Sequence, residues 1–141
     1  GGYTLSISED GLYQNKEYLT KKIMVLLAGR AAEEIIFGAD RITTGAYNDL
    51  KHSTNTALCL TAQYGMGTSI GLLTLEELGR INISHDKIAE ECKTLVEDLY
   101  SRVKNLIESN KKTLEYTAEV LLIKETLGYT ELESIFSDKT A

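Results

Sequence analysis

The stretch KEYLTKKIMVLLAGRAAEEIIFG, from Lys16 to Gly38, predicts the element around which the chain folds. Its apolar residues recur at steps of three and four positions, which is typical of a helix that buries one face. The members of this stripe are Leu19, Ile23, Leu26, Leu27, Ala31, Ile35 and Ile36. Asn15 can cap the first turn and Gly38 can end the last one, so we expect a helix over residues 16–37.

The rest of the chain continues this helical pattern, and proline, which breaks helices, is absent. The periodicity predicts further helices at residues 46–64, 85–109 and 111–127, and a short one at 131–136. Ser84 and Gly128 are expected to begin the third helix and end the fourth, and TELE at Thr130 to Glu133 forms a capping box for the last. Because only Asn110 separates the third and fourth helices, we expect antiparallel neighbours in an αα-hairpin.

Residues 1–8, GGYTLSIS, alternate between apolar and polar side chains, which predicts a short β-strand with one buried face. A lone strand is not stable in water, and the chain offers no obvious second strand. We therefore expect a mainly α protein, a helical bundle with an αα-hairpin and one short N-terminal β-strand. The unpaired strand also suggests that Gly1 is not a natural beginning and that residues 1–141 are part of a domain.

Composition limits the function classes. The chain has 141 residues and a net charge of −6, which argues against nucleic-acid binding because neutralising phosphates needs an excess of Lys and Arg. No apolar run approaches the roughly 20 residues that span a bilayer, so we expect this segment to be soluble. Cys59 and Cys92 fall at apolar helical positions outside any CxxC pair, as expected of two buried thiols in a reducing compartment.

The stretch ITTGAYNDLKHST, Ile42 to Thr54, holds the residues that could carry chemistry. Asp49 and His52 are three positions apart and would share a helix face, where a carboxylate and an imidazole can bind a metal together. Two protein ligands are too few for tight zinc binding, however, and an acidic residue near a helix start also interacts favourably with the helix dipole. No H-E-x-x-H, P-loop, GxGxxG or G-x-S-x-G motif occurs, so the residues alone leave the chemistry open.

A second notable stretch is LLAGRAAEEIIFG, Leu26 to Gly38. Its small residues would let another backbone approach the helix closely. Arg30 precedes Glu33 and Glu34 by three and four positions, which predicts an ion pair on the helix surface.

Together these stretches closely resemble the peptidase domain of the FtsH family. The family pattern is roughly L-x-G-R-A-A-E-E, then T-T-G-A-x-N-D-L, then Q-Y-G-M, and all three parts occur here in order, in LLAGRAAEEIIFG and TTGAYNDLKHSTNTALCLTAQYGMG. The opening GGYTL resembles the family's strand after the active-site helix, and LLIKETLGYTELESIF resembles its C-terminal end. The resemblance covers nearly the whole chain. It implies a membrane-anchored, ATP-dependent zinc metalloendopeptidase that degrades unfolded or damaged proteins.

The resemblance also implies a role for Asp49. In the family, two histidines of an H-E-x-x-H helix and one downstream aspartate hold zinc, the glutamate of that helix is the general base, and the aspartate corresponds to Asp49. The H-E-x-x-H helix would precede Gly1, and neither His52 nor His85 belongs to an H-x-x-x-H pair that could replace it. This chain would thus supply one of three zinc ligands and no catalytic residue, and alone it would be inactive.

Several partners are implied in the same way. An ATPase domain that binds ATP and segments that anchor the protein in the membrane would lie upstream, and the protease domains would form a homo-hexamer. This domain would then lie in the cytoplasm, matrix or stroma. The strand that contains Tyr3, Thr4 and Leu5 would lie beside the cleft and pair with extended, unfolded polypeptide substrates through main-chain hydrogen bonds.

Two other interpretations stay open at this point. The chain could be a stand-alone, non-catalytic paralogue that serves as a helical binding or assembly module, or an unrelated helical adaptor. An H-E-x-x-H motif upstream of Gly1 would favour the protease, and a start codon near Gly1 would favour the paralogue.

Overall fold

A computed structural model describes residues 2–5, 13–81 and 85–138, and within these ranges the chain forms six α-helices. In chain order they are α1 (Lys16–Phe37), α2 (Tyr47–Ala62), α3 (Leu75–Leu78), α4 (Asp86–Ser109), α5 (Lys111–Lys124) and α6 (Tyr129–Ser137). Two 3₁₀ turns, Ala39–Arg41 and Thr44–Ala46, connect α1 to α2. The protein is therefore mainly helical, as the sequence predicts.

The core lies where α1, α2 and α4 pack against one another. The apolar stripe of α1 supplies four buried side chains spaced four residues apart: Leu19, Ile23, Leu27 and Ala31. Ile23 and Leu27 form one buried cluster with Ala57 of α2 and Leu99 of α4. Burying one large aliphatic side chain contributes about 1.5–3 kcal/mol, so this three-helix core is the main source of stability.

Both ends of α1 are capped as the sequence predicts. The Asn15 Oδ1 atom accepts a hydrogen bond from the Tyr18 backbone N–H at 2.8 Å, which satisfies one of the free amides of the first turn. Gly38 has a φ of 88°, a conformation that glycine adopts readily, and its N–H donates to the Glu34 carbonyl at 2.9 Å. The chain leaves α1 at Gly38 and turns toward α2.

The junction between α4 and α5 differs from the prediction. Asn110 alone separates the helices, with φ −118° and ψ 15°, and its side-chain amide donates to the Leu106 carbonyl at 2.6 Å. An αα-hairpin needs a loop of about two to five residues, so one residue bends the chain without reversing it. Helix α5 contacts α4 little and buries none of its residues. The predicted αα-hairpin of these two helices is therefore not found.

Helix α5 has few contacts with either α4 or α6, and it ends at Lys124, earlier than the predicted residue 127. Glu125 takes up a left-handed conformation with φ 64°, and its N–H donates to the Leu121 carbonyl at 2.7 Å. Gly128, predicted to end α5, is the N-cap of α6. The prediction failed because a glutamate occupies the left-handed position that glycine usually takes at a helix end.

The start of α6 is set by Glu131. One oxygen of its carboxylate accepts from the Gly128 N–H at 3.0 Å, and the other lies 2.6 Å from the Lys124 Nζ atom. Only the Glu131 half of a capping box forms, because the N-cap residue Gly128 has no side chain that could accept from the Glu131 N–H, and the predicted box from Thr130 to Glu133 is not found. Helix α6 consequently begins at Tyr129, two residues before the predicted start at residue 131.

The predicted strand over residues 1–8 is not found in its described part. Residues 2–5 form no regular structure, and the side chains of Tyr3 and Leu5 are 94% and 84% exposed. No second strand occurs in the ranges that the structure describes, and an isolated strand is not stable in water. Residues 1 and 6–8, and the predicted cap Ser84, lie outside the described residues.

Helix α2 also differs from its predicted range of 46–64, because residues 44–46 form a 3₁₀ turn and the α-helix itself spans Tyr47–Ala62. Helix α4 begins at Asp86, one residue later than predicted. Among the described residues, no helix combines the length and the apolar character that crossing a membrane requires.

Candidate functional site

The loop between α1 and α2 is held by one side chain of α1. Glu33 accepts two hydrogen bonds from Thr43, one from its backbone N–H at 3.0 Å and one from its hydroxyl at 2.8 Å. The Thr43 backbone N–H holds the pKa of the Glu33 carboxyl below its ordinary value, and the Thr43 hydroxyl adds to this effect. Glu33 is therefore charged at neutral pH and fixes both the backbone and the side chain of Thr43.

Thr43 in turn caps the 3₁₀ turn that leads into α2. Its Oγ1 atom donates to Glu33 and also accepts from the Gly45 N–H at 3.2 Å. The turn Thr44–Ala46 runs directly into Tyr47, the first residue of α2. A chain of hydrogen bonds therefore leads from Glu33 in α1 to the first residues before α2.

Asp49 lies in the first turn of α2, two residues after the helix begins. Its side chain is exposed, and within the described ranges its carboxylate makes no hydrogen bond or ion pair. His52 is exposed one turn further on. Asp49 is not needed to cap α2, since the preceding turn is capped by Thr43. Its carboxylate is available to bind a group from outside this part of the chain.

The residues present fit zinc only in part. A free, exposed carboxylate on a well-formed helix is a suitable zinc ligand, and Asp49 meets that requirement. However, the structure brings together no group of three His, Cys, Asp or Glu side chains in the ranges that it describes. Zinc sites in proteins use at least three such ligands, so Asp49 could serve only as one ligand of a site completed by other residues.

Glu34, the neighbour of Glu33, points to a different partner. It accepts a hydrogen bond from the Tyr100 hydroxyl on α4, and the Lys104 Nζ atom lies 3.4 Å from its other oxygen. The Tyr100 bond holds the pKa of the Glu34 carboxyl below its ordinary value. Burial and the Glu34 carboxylate together raise the pKa of Tyr100 to about 12.

The predicted ion pair of Arg30 with Glu33 or Glu34 does not form. Thr43 and Tyr100 occupy the two carboxylates instead, and Arg30 acts on them only through its charge at longer range. The reason is that both glutamates reach hydrogen-bond donors on neighbouring elements, which hold them more firmly than an exposed helical pair would.

The segment after α2 is held from α4. The Glu91 carboxylate accepts from the Thr68 N–H at 2.7 Å and from the Ser69 N–H at 2.8 Å. The Lys16 Nζ atom donates to the Met66 carbonyl at 3.0 Å. A Cβ atom on Gly67 would lie 2.8 Å from the Cα and carbonyl oxygen of Thr61, so only glycine fits at this position. This segment contains the end of the QYGM sequence and is tied to the core at three points.

The sequence predicts a role for Asp49, which stays a prediction, and it gave no indication of the contact between Glu33 and Thr43. The two residues are ten positions apart and lie on different elements, so no helical spacing rule connects them. The one available signal is that a threonine before a short glycine-containing turn is a common cap, which marks Thr43 but not its partner on α1.

Comparison with known proteins gives consistent matches. The profile of peptidase family M41 matches residues 1–135. The chain is 38% identical over 138 residues to the ATP-dependent zinc metalloprotease FtsH 1 of Alkaliphilus metalliredigens, with 97% of this chain and 23% of that protein covered. It is 31% identical over 140 residues to the ATP-dependent zinc metalloprotease YME1L1 of Homo sapiens, with 99% and 18% covered. The chain thus spans less than a quarter of the length of these two relatives.

Proposed function

The chain belongs to peptidase family M41, and from this we propose that it is the C-terminal part of the protease domain of a membrane-anchored, ATP-dependent zinc metalloendopeptidase. Its relatives named above are ATP-dependent zinc metalloproteases, which supports the reaction class and the use of zinc and ATP. Unfolded or damaged polypeptides are the proposed substrates, and a homo-hexamer is the proposed assembly. The ATP site and the membrane anchor would lie in parts of the protein outside these residues.

Asp49 is the proposed zinc ligand of this chain. The observation that carries the proposal is its exposed carboxylate in the first turn of α2, directly after the loop that Glu33 and Thr43 hold in place. Two histidines of an H-E-x-x-H helix elsewhere in the protein would complete the site. Zinc bound there would lower the pKa of a water molecule, which could then attack a peptide carbonyl at neutral pH.

The residues of this chain would bind zinc and the substrate, and would not transfer protons. Asp49 would hold its ligand atom at a fixed place relative to the three-helix core. By itself the chain would neither hold zinc tightly nor cut peptides, since one carboxylate is far short of the three ligands that a zinc site needs. The alternative is a non-catalytic module with the same fold. An experiment on Asp49 distinguishes the two proposals.

Tyr3, Thr4 and Leu5 are the proposed substrate-binding residues. All three are exposed, and none of them makes a backbone hydrogen bond to another described residue. A segment with free N–H and C=O groups can add an extended polypeptide as a neighbouring strand, because the main-chain bonds do not depend on the substrate's side chains. This supports a protease that accepts many unfolded sequences.

The experiment that tests the metal role uses the full-length protein that contains this chain. We expect about one zinc ion per chain, as in other sites with three protein ligands, and degradation of a fluorescently labelled unfolded protein in the presence of ATP. Asp49→Ala should weaken zinc binding by more than about 100-fold, since losing a residue that only orients a metal ligand already costs about 10–100-fold. His52→Ala is the matched control, because His52 lies one turn away and is also exposed.

The His52→Ala protein should keep its zinc and its activity. If Asp49→Ala keeps zinc and activity as well, Asp49 is not a ligand and the proposed site is wrong. If the unaltered full-length protein holds no zinc and cuts no peptide bond, the non-catalytic module is the correct interpretation.

A further inference from the structure

We infer that residues 65–72 form a strap that swings open as one unit over the end of α2, and that Glu91 of α4 holds the tip of this strap closed. The strap lies apart from the proposed zinc ligand, because Asp49 is in the first turn of α2 and the strap follows the last turn. Residues 65–72 are not helical, whereas the elements on either side of them, α2 and α3, are helices.

The two ends of the strap lie side by side. A Cβ atom on Gly65 would lie 3.4 Å from the Leu72 Cδ2 atom and 3.6 Å from the Leu72 Cα atom. Gly65 and Gly71 have φ angles of 64° and 59°, which glycine adopts at little cost. A compact surface loop whose ends are close is an Ω-loop, and residues at its two ends can absorb the rotation of the part between them. The strap therefore has a glycine hinge at each end.

Glu91 holds the strap at its tip, midway between the two hinges. The Glu91 Oε1 atom accepts from the Thr68 N–H at 2.7 Å and from the Thr68 hydroxyl at 3.1 Å. The Oε2 atom accepts from the Ser69 N–H at 2.8 Å. Bonds to a charged carboxylate are stronger than bonds between neutral groups, so Glu91 contributes most of the force that keeps the strap closed.

The remaining hydrogen bonds from the strap to the core lie next to its first hinge. The Met66 N–H donates to the Leu60 carbonyl at 3.2 Å, and the Lys16 Nζ atom donates to the Met66 carbonyl at 3.0 Å. Met66 follows Gly65 directly, so a rotation at Gly65 carries Met66 along and breaks both bonds. Opening of the whole strap is thus distinguished from fraying of its tip by what happens at Met66.

Gly67 allows the strap to close. A Cβ atom at this position would lie 2.8 Å from the Cα and carbonyl oxygen of Thr61 and 3.0 Å from the Glu91 Oε1 atom. Gly67 therefore fits between the end of α2 and the carboxylate that holds the tip. With a larger residue there, the strap and the end of α2 must move apart.

The closed strap covers one end of the seam between α2 and α4. Thr61, against which Gly67 packs, is 1% exposed, and its hydroxyl lies 3.1 Å from the Cys92 Sγ atom. Cys92 is half-buried and follows Glu91 on α4. Opening of the strap would admit solvent to Thr61 and to this thiol. The reactivity of Cys92 therefore reports on the strap without altering its hinges or its bonds.

Hydrogen exchange tests whether the strap moves as one unit. In the full-length protein that contains this chain, the amides of Met66, Thr68 and Ser69 should be protected to the same degree within about threefold. All three should lose at least about tenfold of this protection in Glu91→Gln, while the amides of the buried stripe of α1 keep theirs. Glu90→Gln, at the adjacent exposed carboxylate, is the matched control and should leave every amide unchanged. Mass spectrometry with fragmentation that resolves single amides measures these differences.

Gly67→Ala opens the strap by a second route that leaves the Glu91 carboxylate in place. It should produce the same loss of protection at the strap amides as Glu91→Gln. Alkylation of Cys92 by N-ethylmaleimide, measured by peptide mass spectrometry, should be at least about threefold faster in both variants. Cys59, the half-buried thiol on α2, is the internal comparison and should react at its wild-type rate.

Loss of protection confined to the strap amides, together with faster alkylation of Cys92 alone, supports the inference. If the tip residues lose protection in Glu91→Gln while Met66 keeps it, only the tip frays and the strap does not move as a unit. If Cys59 and Cys92 both react faster, the whole core has loosened and local opening is the wrong explanation. If Cys92 keeps its wild-type rate in both variants, the strap does not cover the seam.

Discussion

The Tyr100 hydroxyl of α4 donates a hydrogen bond to the Glu34 carboxylate of α1, joining the two helices that pack most extensively in this fold. Lys104, one turn further along α4, places its Nζ atom 3.4 Å from the second carboxylate oxygen and 5.2 Å from the centre of the Tyr100 ring. Glu34 thus ties α1 to α4, while the adjacent Glu33 ties α1 to the loop before α2. The two adjacent glutamates of LLAGRAAEEIIFG therefore connect α1 to two different neighbours, the loop before α2 and helix α4.

Replacing Tyr100 with Phe should destabilise the chain measurably. The variant removes a bond to a charged, half-buried carboxylate and leaves Glu34 with only the longer Lys104 contact. Hydrogen bonds to charged groups contribute about 1.5–3 kcal/mol, so we expect the free energy of unfolding in urea to fall by about 1–2 kcal/mol. Tyr18→Phe on the exposed side of α1 is the control and should change stability by less than about 0.5 kcal/mol. Equal effects of the two variants would show that the Tyr100 bond contributes nothing.

The same bond gives the stability a dependence on alkaline pH. Burial and the Glu34 carboxylate raise the pKa of Tyr100 from 10.0 to about 12, so the folded state holds this proton more tightly than the unfolded state. The resulting stabilisation is fully present below pH 10 and is lost as the pH rises toward about 12. The unfolding free energies of wild type and Tyr100→Phe should therefore converge over that range.

An ultraviolet titration of tyrosinate provides a direct check. Wild type should show one tyrosine that ionises later than the others, and this late component should be missing in Tyr100→Phe. A wild-type titration that matches the variant in shape would contradict the raised pKa of Tyr100.

The helical core could be predicted well because it follows a local rule. The stripe of Leu19, Ile23, Leu27 and Ala31 is visible in the spacing alone, and all four residues are buried. The αα-hairpin at Asn110 was predicted wrongly, because one residue is shorter than the roughly two to five residues that reverse the chain between antiparallel helices.

The candidate site divides in the same way. Asp49 could be selected from its sequence surroundings, although its role as a zinc ligand stays a prediction. The contacts of Glu33 with Thr43, and of Glu91 with Thr68 and Ser69, join residues separated by 10 to 23 positions, so they become visible only in three dimensions. The rule that oppositely charged residues three or four positions apart pair on a helix predicted the wrong partner, Arg30, for Glu33 and Glu34.

Glu91→Gln should loosen the segment that follows α2. Burial alone would raise the pKa of Glu91, but the hydrogen bonds from Ser69 and Thr68 together outweigh it and hold that pKa below its ordinary value of 4.5. The charged form accepts the two amide bonds, so the stabilisation is present above pH 4.5 and is lost as the pH falls through the lowered pKa. At neutral pH we expect a loss of about 1–3 kcal/mol in unfolding free energy and faster hydrogen exchange at Thr68 and Ser69.

Glu90→Gln is the matched control for this variant. Glu90 precedes Glu91 on α4, is exposed, and makes no contact with another described residue through a hydrogen bond or ion pair. Its replacement should change stability by less than about 0.5 kcal/mol and leave exchange at Thr68 unaltered. Unchanged exchange in Glu91→Gln as well would show that the carboxylate does not hold the segment.

Replacing a glycine with alanine should lower the free energy of unfolding at Gly67 and raise it at Gly29. At Gly67 a Cβ atom would lie 2.8 Å from the backbone of Thr61, so the α2 end must shift, and we expect a loss of about 1–3 kcal/mol. At Gly29, inside α1, a Cβ atom would meet nothing within 4 Å, and alanine should stabilise the helix by about 0.5–1 kcal/mol. Urea unfolding of both variants measures whether the free energy of unfolding falls or rises. Destabilisation by Gly29→Ala would show that this face of α1 packs against a neighbour.

Glycine in place of Glu125 should stabilise the C-terminal helices. Glu125 ends α5 with φ 64°, a conformation that costs an L-residue with a Cβ atom about 1 kcal/mol but costs glycine almost nothing. Its side chain is exposed and its N–H bond to the Leu121 carbonyl does not depend on the side chain. We therefore expect Glu125→Gly to raise the free energy of unfolding by about 0.5–1 kcal/mol.

Glu119→Gly, at an exposed position inside the same helix, should lower it by about 1 kcal/mol. Equal losses in both variants, measured by urea unfolding followed by circular dichroism, would mean that α5 continues past residue 125.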